Sequence, residues 1–175
     1  HTTTLTETAG LRLPLRTINL SAFVSEPMQP VVDVIVNCPD LGVYLSQSDK
    51  GELVIGGATD LGQSFRRDVK QHVFEETVAA MLELFPAFLC VKLLRQWGGH
   101  LDIAHDASPI VSATDVPGLF VSAGWWGGYK AIPAGGMCLA HLVATGAPHK
   151  LAEPFGLSRF RHLDYVLETG TTTAR

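Results

Sequence analysis

Cysteine is scarce in this chain of 175 residues: Cys38, Cys90 and Cys138 lie far apart, odd in number and without a C-x-x-C pair. That pattern excludes a disulfide framework and a structural zinc site, and it suits a reducing, cytoplasmic compartment. An excess of basic charge is missing too. Charged residues make up 17% of the sequence and the net charge is −4, with a pI of about 5.9. Such a chain lacks the basic stripe that nucleic-acid binding requires. The longest apolar runs, at residues 31–36 and 85–91, are broken by Asp33 and Pro86 and are too short to span a membrane. The N-terminus is threonine-rich rather than basic then apolar, unlike a signal peptide. Nucleophile machinery is absent as well: there is no G-x-S-x-G elbow, and the one Cys–His pair at close spacing, Cys138 with His141, reads as two positions on a helix face. P-loop and G-x-G-x-x-G patterns are missing, so the chain has no standard grip on a dinucleotide pyrophosphate. Neither repeats nor low-complexity segments occur.

What is present is a core-forming composition, 46% apolar. The chain opens at His1, on the threshold of a short helix in which Thr4 and Glu7 form a capping box and Gly10 ends the turn. This start reads as a piece of a longer polypeptide. Strands are predicted at residues 20–24 and 31–36, then a hairpin at residues 43–47 and 52–55 around Asp49-Lys50-Gly51. Gly56-Gly57 and the polar stretch to Gly62 read as a loop. An amphipathic helix over residues 69–84 carries Val73, Val78, Met81, Leu82 and Leu84 on one face and stops at Pro86. Further strands are expected at 91–94, extending through 101–103, and at 110–111 and 119–123. A helix over 134–145 ends at Gly146.

Three groups of residues invite a chemical reading. The turn Gly124-Trp125-Trp126-Gly127-Gly128-Tyr129-Lys130 lies between a strand and a helix. Its glycines permit close backbone approach, and the helix N-terminus with Lys130 suits an anion or a group that becomes anionic. The bland alternative is a tight turn with two packing tryptophans and a surface lysine. Trp97-Gly98-Gly99 either lets a flat ligand lie against the backbone or marks a strand bulge, the commoner role. His100, Asp102, His105 and Asp106 form the nearest thing to a metal cluster, but the last two fall in a turn and need not converge with the first two. No metal site is assigned; Asp106 reads as a turn former ahead of Pro109.

Taken in order, several segments resemble one family. They are Val24-Ser25-Glu26-Pro27; Ser46 to Gly51 with Leu53-Val54-Ile55-Gly56; Arg95-Gln96-Trp97-Gly98-Gly99; Asp106 with Ser108-Pro109-Ile110; Gly118-Leu119-Phe120; the Gly124–Ala131 turn; and Pro154 to Phe160. Together they are similar to the C-terminal half of the beta subunits of heterotetrameric sarcosine oxidases, within the D-amino-acid-oxidase-like FAD-dependent oxidoreductases. The resemblance runs over nearly the whole chain.

That resemblance implies an α+β fold: a substrate domain with a mixed, largely antiparallel sheet and a long helix, plus the last strand–turn–helix of an FAD-binding α/β domain. The implied boundaries are residues 1–14 for the end of an FAD-domain helix and a connector, 15–112 for the substrate domain, 113–147 for the strand–turn–helix and 148–175 for a tail. It further implies oxidation of a sarcosine-like secondary amino acid by hydride transfer to FAD, with Lys130 holding the substrate carboxylate. Trp97, Gly98, Gly99, Gly124, Gly127, Gly128, Tyr129 and Lys130 would lie along the flavin. Monomeric relatives attach flavin to a cysteine near the position of Gly99, so FAD should be non-covalent here; the heterotetramers add an FMN in the full assembly. The Gly124–Lys130 turn is one residue shorter than the usual G-W-G-x-G-G-F-K, with Trp126 inside it. Expected partners are an N-terminal FAD-binding half and further subunits. The competing reading is a truncated, non-catalytic piece that serves as an assembly surface in a flavoenzyme complex.

Overall fold

The computed structural model describes residues 1–167, in two compact units. One unit takes His1–Thr17 and residues 101–167; the other is Ile18–His100.

The second unit is built on a five-stranded sheet in the order β2-β3-β4-β1-β5. Its strands are β1 (Leu15–Ser25), β2 (Val36–Cys38), β3 (Val43–Gln47), β4 (Leu53–Asp60) and β5 (Leu93–Ala104), of which β1 and β5 run on into the first unit. β1 pairs antiparallel with β4, in register from Phe23↔Ile55 to Leu20↔Thr59, with a shift between Leu20 and Ala22. Strict alternation puts Phe23, Val43, Leu45, Leu53 and Ile55 on one buried face. Helix α2 (Gln71–Leu84) covers that face through Met81, Leu82 and Phe74, and Phe74 meets Phe23 edge-on at 5.4 Å between ring centres. The buried stripe is Val73, Thr77 and Met81, spaced four apart, while Val78, Leu82 and Leu84 are only half-buried. Thr77 fits there because its hydroxyl donates to the Val73 carbonyl at 2.7 Å.

Two expectations in this unit are corrected. Residues 31–35 are not a strand: Val31, Val34 and Ile35 are exposed, and regular pairing starts only at Val36. The Gln47 amide takes the place of a neighbouring strand, its Oε1 accepting from the Val31 and Val32 amides at 2.8 and 3.1 Å. Its Nε2 donates to the carbonyls of Gln29 and Gly51. Gly56-Gly57 is not a loop either, since β4 continues to Asp60. A side chain on Gly57 would meet the Gly42 carbonyl oxygen at 1.9 Å, so the glycine serves close strand packing at a φ of 156°.

The first unit holds α1 (Thr2–Glu7) and a two-stranded antiparallel sheet of β6 (Ile110–Ala113) and β7 (Phe120–Ala123). Helices α3 (Gly128–Thr145) and α4 (Ser158–His162) follow. Leu13, Leu15, Ala104, Ile110, Val121 and Ala123 form its main core. The capping box is not formed, because α1 begins at Thr2 with His1 as its N-cap and no side-chain cap. Asp102 serves this end instead, accepting from the Thr2 amide at 3.0 Å and the Thr17 hydroxyl at 2.5 Å. Burial opposes the charge on Asp102, but the hydrogen bonds from Thr17 and Thr2 outweigh it and hold its pKa at about 2. The end of the predicted tail, 168–175, lies outside the described residues.

Candidate functional site

β7 ends at Ala123, and the Gly124 that follows has a φ of 77°, in the left-handed region. A side chain there would meet Leu15 Cδ2 at 2.9 Å and Ala104 Cβ at 3.0 Å, so glycine is required both for conformation and for packing. Trp125 follows, its indole N–H donating to Ser122 Oγ at 3.2 Å. Its ring lies against α3: a Cβ on Gly135 would sit 2.7 Å from Trp125 Cζ2, and one on Gly128 3.0 Å from Trp125 Cβ. Gly124, Gly128 and Gly135 are thus taken up by the chain's own packing. Gly127 differs. Only the flexible tip of Lys130 is near it, with Cε 3.2 Å and Nζ 3.5 Å from the position a Cβ would take.

Helix α3 opens at Gly128 rather than at the predicted Ala134. Tyr129 and Lys130 therefore belong to its first turn instead of the loop before it, and both are exposed. Pro133 sits inside the helix, where its missing N–H leaves the Tyr129 carbonyl without an i+4 donor. Gly127 is the N-cap, no side chain caps this end, and no acidic residue occupies the first turn. The first amides lack intrahelical partners, and the dipole's positive end has a lysine beside it. This is a surface for a negative charge.

Trp97, Gly98 and Gly99 belong to the second unit, within the continuous strand β5 rather than at its end. The two glycines face different surroundings. A Cβ on Gly98 would meet the Arg67 carbonyl oxygen at 2.5 Å and Asn19 Oδ1 at 2.6 Å, whereas one on Gly99 would meet nothing within 4 Å. Trp97 is half-exposed. Backbone packing accounts for Gly98; the space beside Gly99 is open.

The four residues of the metal-like cluster go separate ways. Asp102 binds Thr2 and Thr17, Asp106 is paired with Arg159, His105 meets the Phe160 ring edge-on, and His100 meets Phe65. Among the described residues no group of three or more His, Cys, Asp or Glu side chains is placed to hold a metal ion. Among them, too, no helix is long and apolar enough to cross a membrane.

Beside the glycine turn lies a cavity of about 420 Å³, wholly within the first unit, walled in part by Trp126, Lys130, Ala134, Cys138, Leu151 and Phe155. Sequence reasoning missed it. Trp126 stood out only as an extra residue in the turn, and the segment around Phe155 only as part of a resemblance.

Residues 1–142 match the family model described as FAD dependent oxidoreductase. The chain belongs to that family. Within the FAD-dependent oxidoreductases it is 47% identical over 170 residues to the sarcosine oxidase subunit beta of Rhodobacter capsulatus, and 43% identical over 171 residues to that of an Arthrobacter species. Each alignment takes in 97% of this chain but only 41% and 42% of the relative, so the chain spans about two-fifths of these relatives' length. The fold is that of the L-proline dehydrogenase from P. horikoshii, with a TM-score of 0.82 at 22% identity over 93% of this chain and 44% of that one. A glycine oxidase from Geobacillus kaustophilus gives 0.77 at 24%, over 89% and 42%.

The uncapped start of α3, with Lys130 and the uncrowded Gly127, has the chemistry to meet an electron-rich edge of the family's cofactor. For the pyrophosphate, by contrast, no glycine-rich strand-to-helix loop of the G-x-G-x-x-G type occurs in the sequence.

Proposed function

We propose that this FAD-dependent oxidoreductase chain is the substrate-domain and C-terminal part of an amine oxidase or dehydrogenase of the sarcosine oxidase beta type, acting on a secondary amino acid. The observation that carries the reading is the uncapped, acid-free N-terminus of α3 with Lys130 folded over Gly127. Its support is the identity to sarcosine oxidase beta subunits along nearly the whole chain. FAD, held non-covalently, supplies the hydride acceptor for the carbon next to the substrate nitrogen. The chain's own residues then have distinct tasks. Lys130 pairs with the substrate carboxylate through a charge-assisted hydrogen bond and fixes its orientation. Gly127, Gly128 and Tyr129 present the first-turn amides of α3 to the cofactor edge, where the dipole favours negative charge. In the second unit Trp97, Gly98 and Gly99 would help to hold the cofactor, and in the first Gly124 would shape the turn that does so.

The phosphates of the cofactor fall to an N-terminal FAD-binding half. The exposed apolar side chains of α3, Tyr129, Ile132, Met137 and Val143, support such a covering partner. Further subunits, and an FMN among them, belong to the same proposal.

The test uses the full-length chain with its partner subunits. Flavin absorption that bleaches on addition of sarcosine or a proline-like amine is the expected result; a colourless assembly that stays colourless with added FAD overturns the proposal and favours a non-catalytic assembly surface. Lys130→Ala should raise KM for the amino acid by about tenfold or more, since the carboxylate loses a charge-assisted partner. An unchanged KM removes Lys130 from substrate binding.

A further inference from the structure

Ten residues without regular structure, 61–70, join β4 to α2 in the second unit. Asp60 and Lys70 close the two ends of this loop in an ion pair, and Asp60 Oδ1 also accepts the Gly62 amide at 3.2 Å. Between those ends Phe65, Arg66, Arg67 and Asp68 are exposed, so little apolar burial holds the segment down. Its middle is fixed from the sheet. Asn19 of β1, 4% exposed, donates from Nδ2 to the Asp68 carbonyl at 2.7 Å. The neighbouring carbonyl, that of Arg67, then lies against β5: its oxygen and Asn19 Oδ1 stand 2.5 and 2.6 Å from the place a Cβ on Gly98 would take. Asn19 Oδ1 accepts no hydrogen bond among the described residues, so the amide is spent on the loop.

The pleat sends the neighbours of Gly98 the other way, with Trp97 and Gly99 on the opposite side of β5. Nothing lies within 4 Å of a Cβ on Gly99, and Trp97 is half-exposed. The loop therefore backs the strand on one side while its other side stands open. We propose that Asn19 is a positioning residue for residues 97–99, acting through the Asp68 carbonyl that it latches. With the latch closed, the Arg67 carbonyl limits how far Gly98 can retreat, and Trp97 and Gly99 are held at a fixed depth. With the latch open, the loop lifts between its tied ends and the strand loses its backing. This role rests on the proposed part of residues 97–99 in holding the cofactor.

The experiment uses the full-length chain in its native assembly. Asn19→Leu keeps the size of the side chain and removes the donor; Asn19→Ser, too short to reach Asp68, takes its place if the leucine variant does not assemble. Ile55→Val is the control, since it loosens the core of the same sheet without touching the loop. In the Asn19 variant trypsin cleavage after Arg66 and Arg67 should rise about fivefold or more, the factor set by one hydrogen bond. Flavin release should speed up by a similar factor. Ile55→Val should lower the melting temperature and release flavin at the parent rate. Unchanged cleavage in the Asn19 variant overturns the latch, whatever the flavin does. Faster cleavage with flavin release at the parent rate overturns the positioning role, and so does equally fast release from Ile55→Val. A parent assembly that stays colourless with added FAD sinks the flavin reading and the positioning role with it, while the trypsin rates still judge the latch.

Discussion

Arg159 closes on Asp106 with two parallel hydrogen bonds, Nε to Oδ2 at 2.7 Å and Nη2 to Oδ1 at 3.0 Å, and neither side chain reaches solvent. Four further hydrogen bonds surround the pair. Arg159 also donates to the carbonyls of Ser108 and Gly156, and Asp106 accepts the amides of Ser108 and Val166. The guanidinium lies 4.1 Å from the centre of the Phe160 ring. This pair ties α4 and the segment after it to the turn between β5 and β6.

Removing one partner leaves a buried, unpaired charge. Arg159→Met should destabilise the full-length protein by about 3–5 kcal/mol, read from denaturant unfolding. A loss below about 1 kcal/mol would mean that the clasp contributes little more than a surface pair. Burial alone would push the Asp106 carboxyl up, but Arg159 and the two amides hold it below its ordinary value. The pair's contribution is therefore present above the usual carboxylate range and fades as pH falls through the lowered native value.

Asp102 sets a second acid limb. Its pKa of about 2 in the folded chain, against an ordinary 3.8, means that its contribution is complete above the ordinary value and is lost as pH falls from there toward the native one. Asp102→Asn should flatten the stability profile over that window and leave neutral-pH slopes unchanged. An acid limb identical in the variant would place the titration elsewhere.

The two glycines of β5 should respond in opposite ways. In Gly98→Ala the new Cβ faces backbone oxygen at 2.5 Å, so the segment around Arg67 must move, at a cost of about 1–3 kcal/mol. Gly99→Ala meets nothing and should leave stability unchanged or slightly raised, because alanine loses less backbone freedom on folding. If the flavin reading holds, Gly99→Ala weakens FAD retention while Gly98→Ala lowers the melting temperature. Thermal unfolding and flavin release, measured on both, separate the two effects.

Gly135→Ala weighs helix propensity against packing. Alanine in a helix interior gains about 1 kcal/mol over glycine, but its Cβ would stand 2.7 Å from the Trp125 ring. The ring must turn, and its hydrogen bond to Ser122 is lost with it. The expected net is a loss of about 1 kcal/mol or more with a shift in tryptophan emission. A stabilised variant with unchanged emission would show that the indole has room to yield.

Local pattern carried a good part of the fold. The hairpin around Asp49-Lys50-Gly51 and the helix stopped by Pro86 each depend on neighbours a few residues away, which is the range over which turn chemistry and periodicity act. The failures share a cause. At residues 31–35 a β-prone composition found no strand partner, because Gln47 already held the amides of Val31 and Val32. At Thr4 a plausible cap yielded to Asp102, a hundred positions on from Thr2, which no local rule can reach.

By itself, the sequence determined the apolar faces of the strands and of α2, and the presence of a glycine turn with a lysine before Gly146. These are properties of composition and short spacing. Only the tertiary structure decided which glycines are spent on packing and which face open space, that Lys130 stands in the first turn of a helix, and that Cys138 meets His149 rather than His141. Gly98 against Arg67 and Gly124 against Leu15 are contacts between segments far apart in the chain, and the others depend on how turns fold back; the pleat and helical periods encode neither.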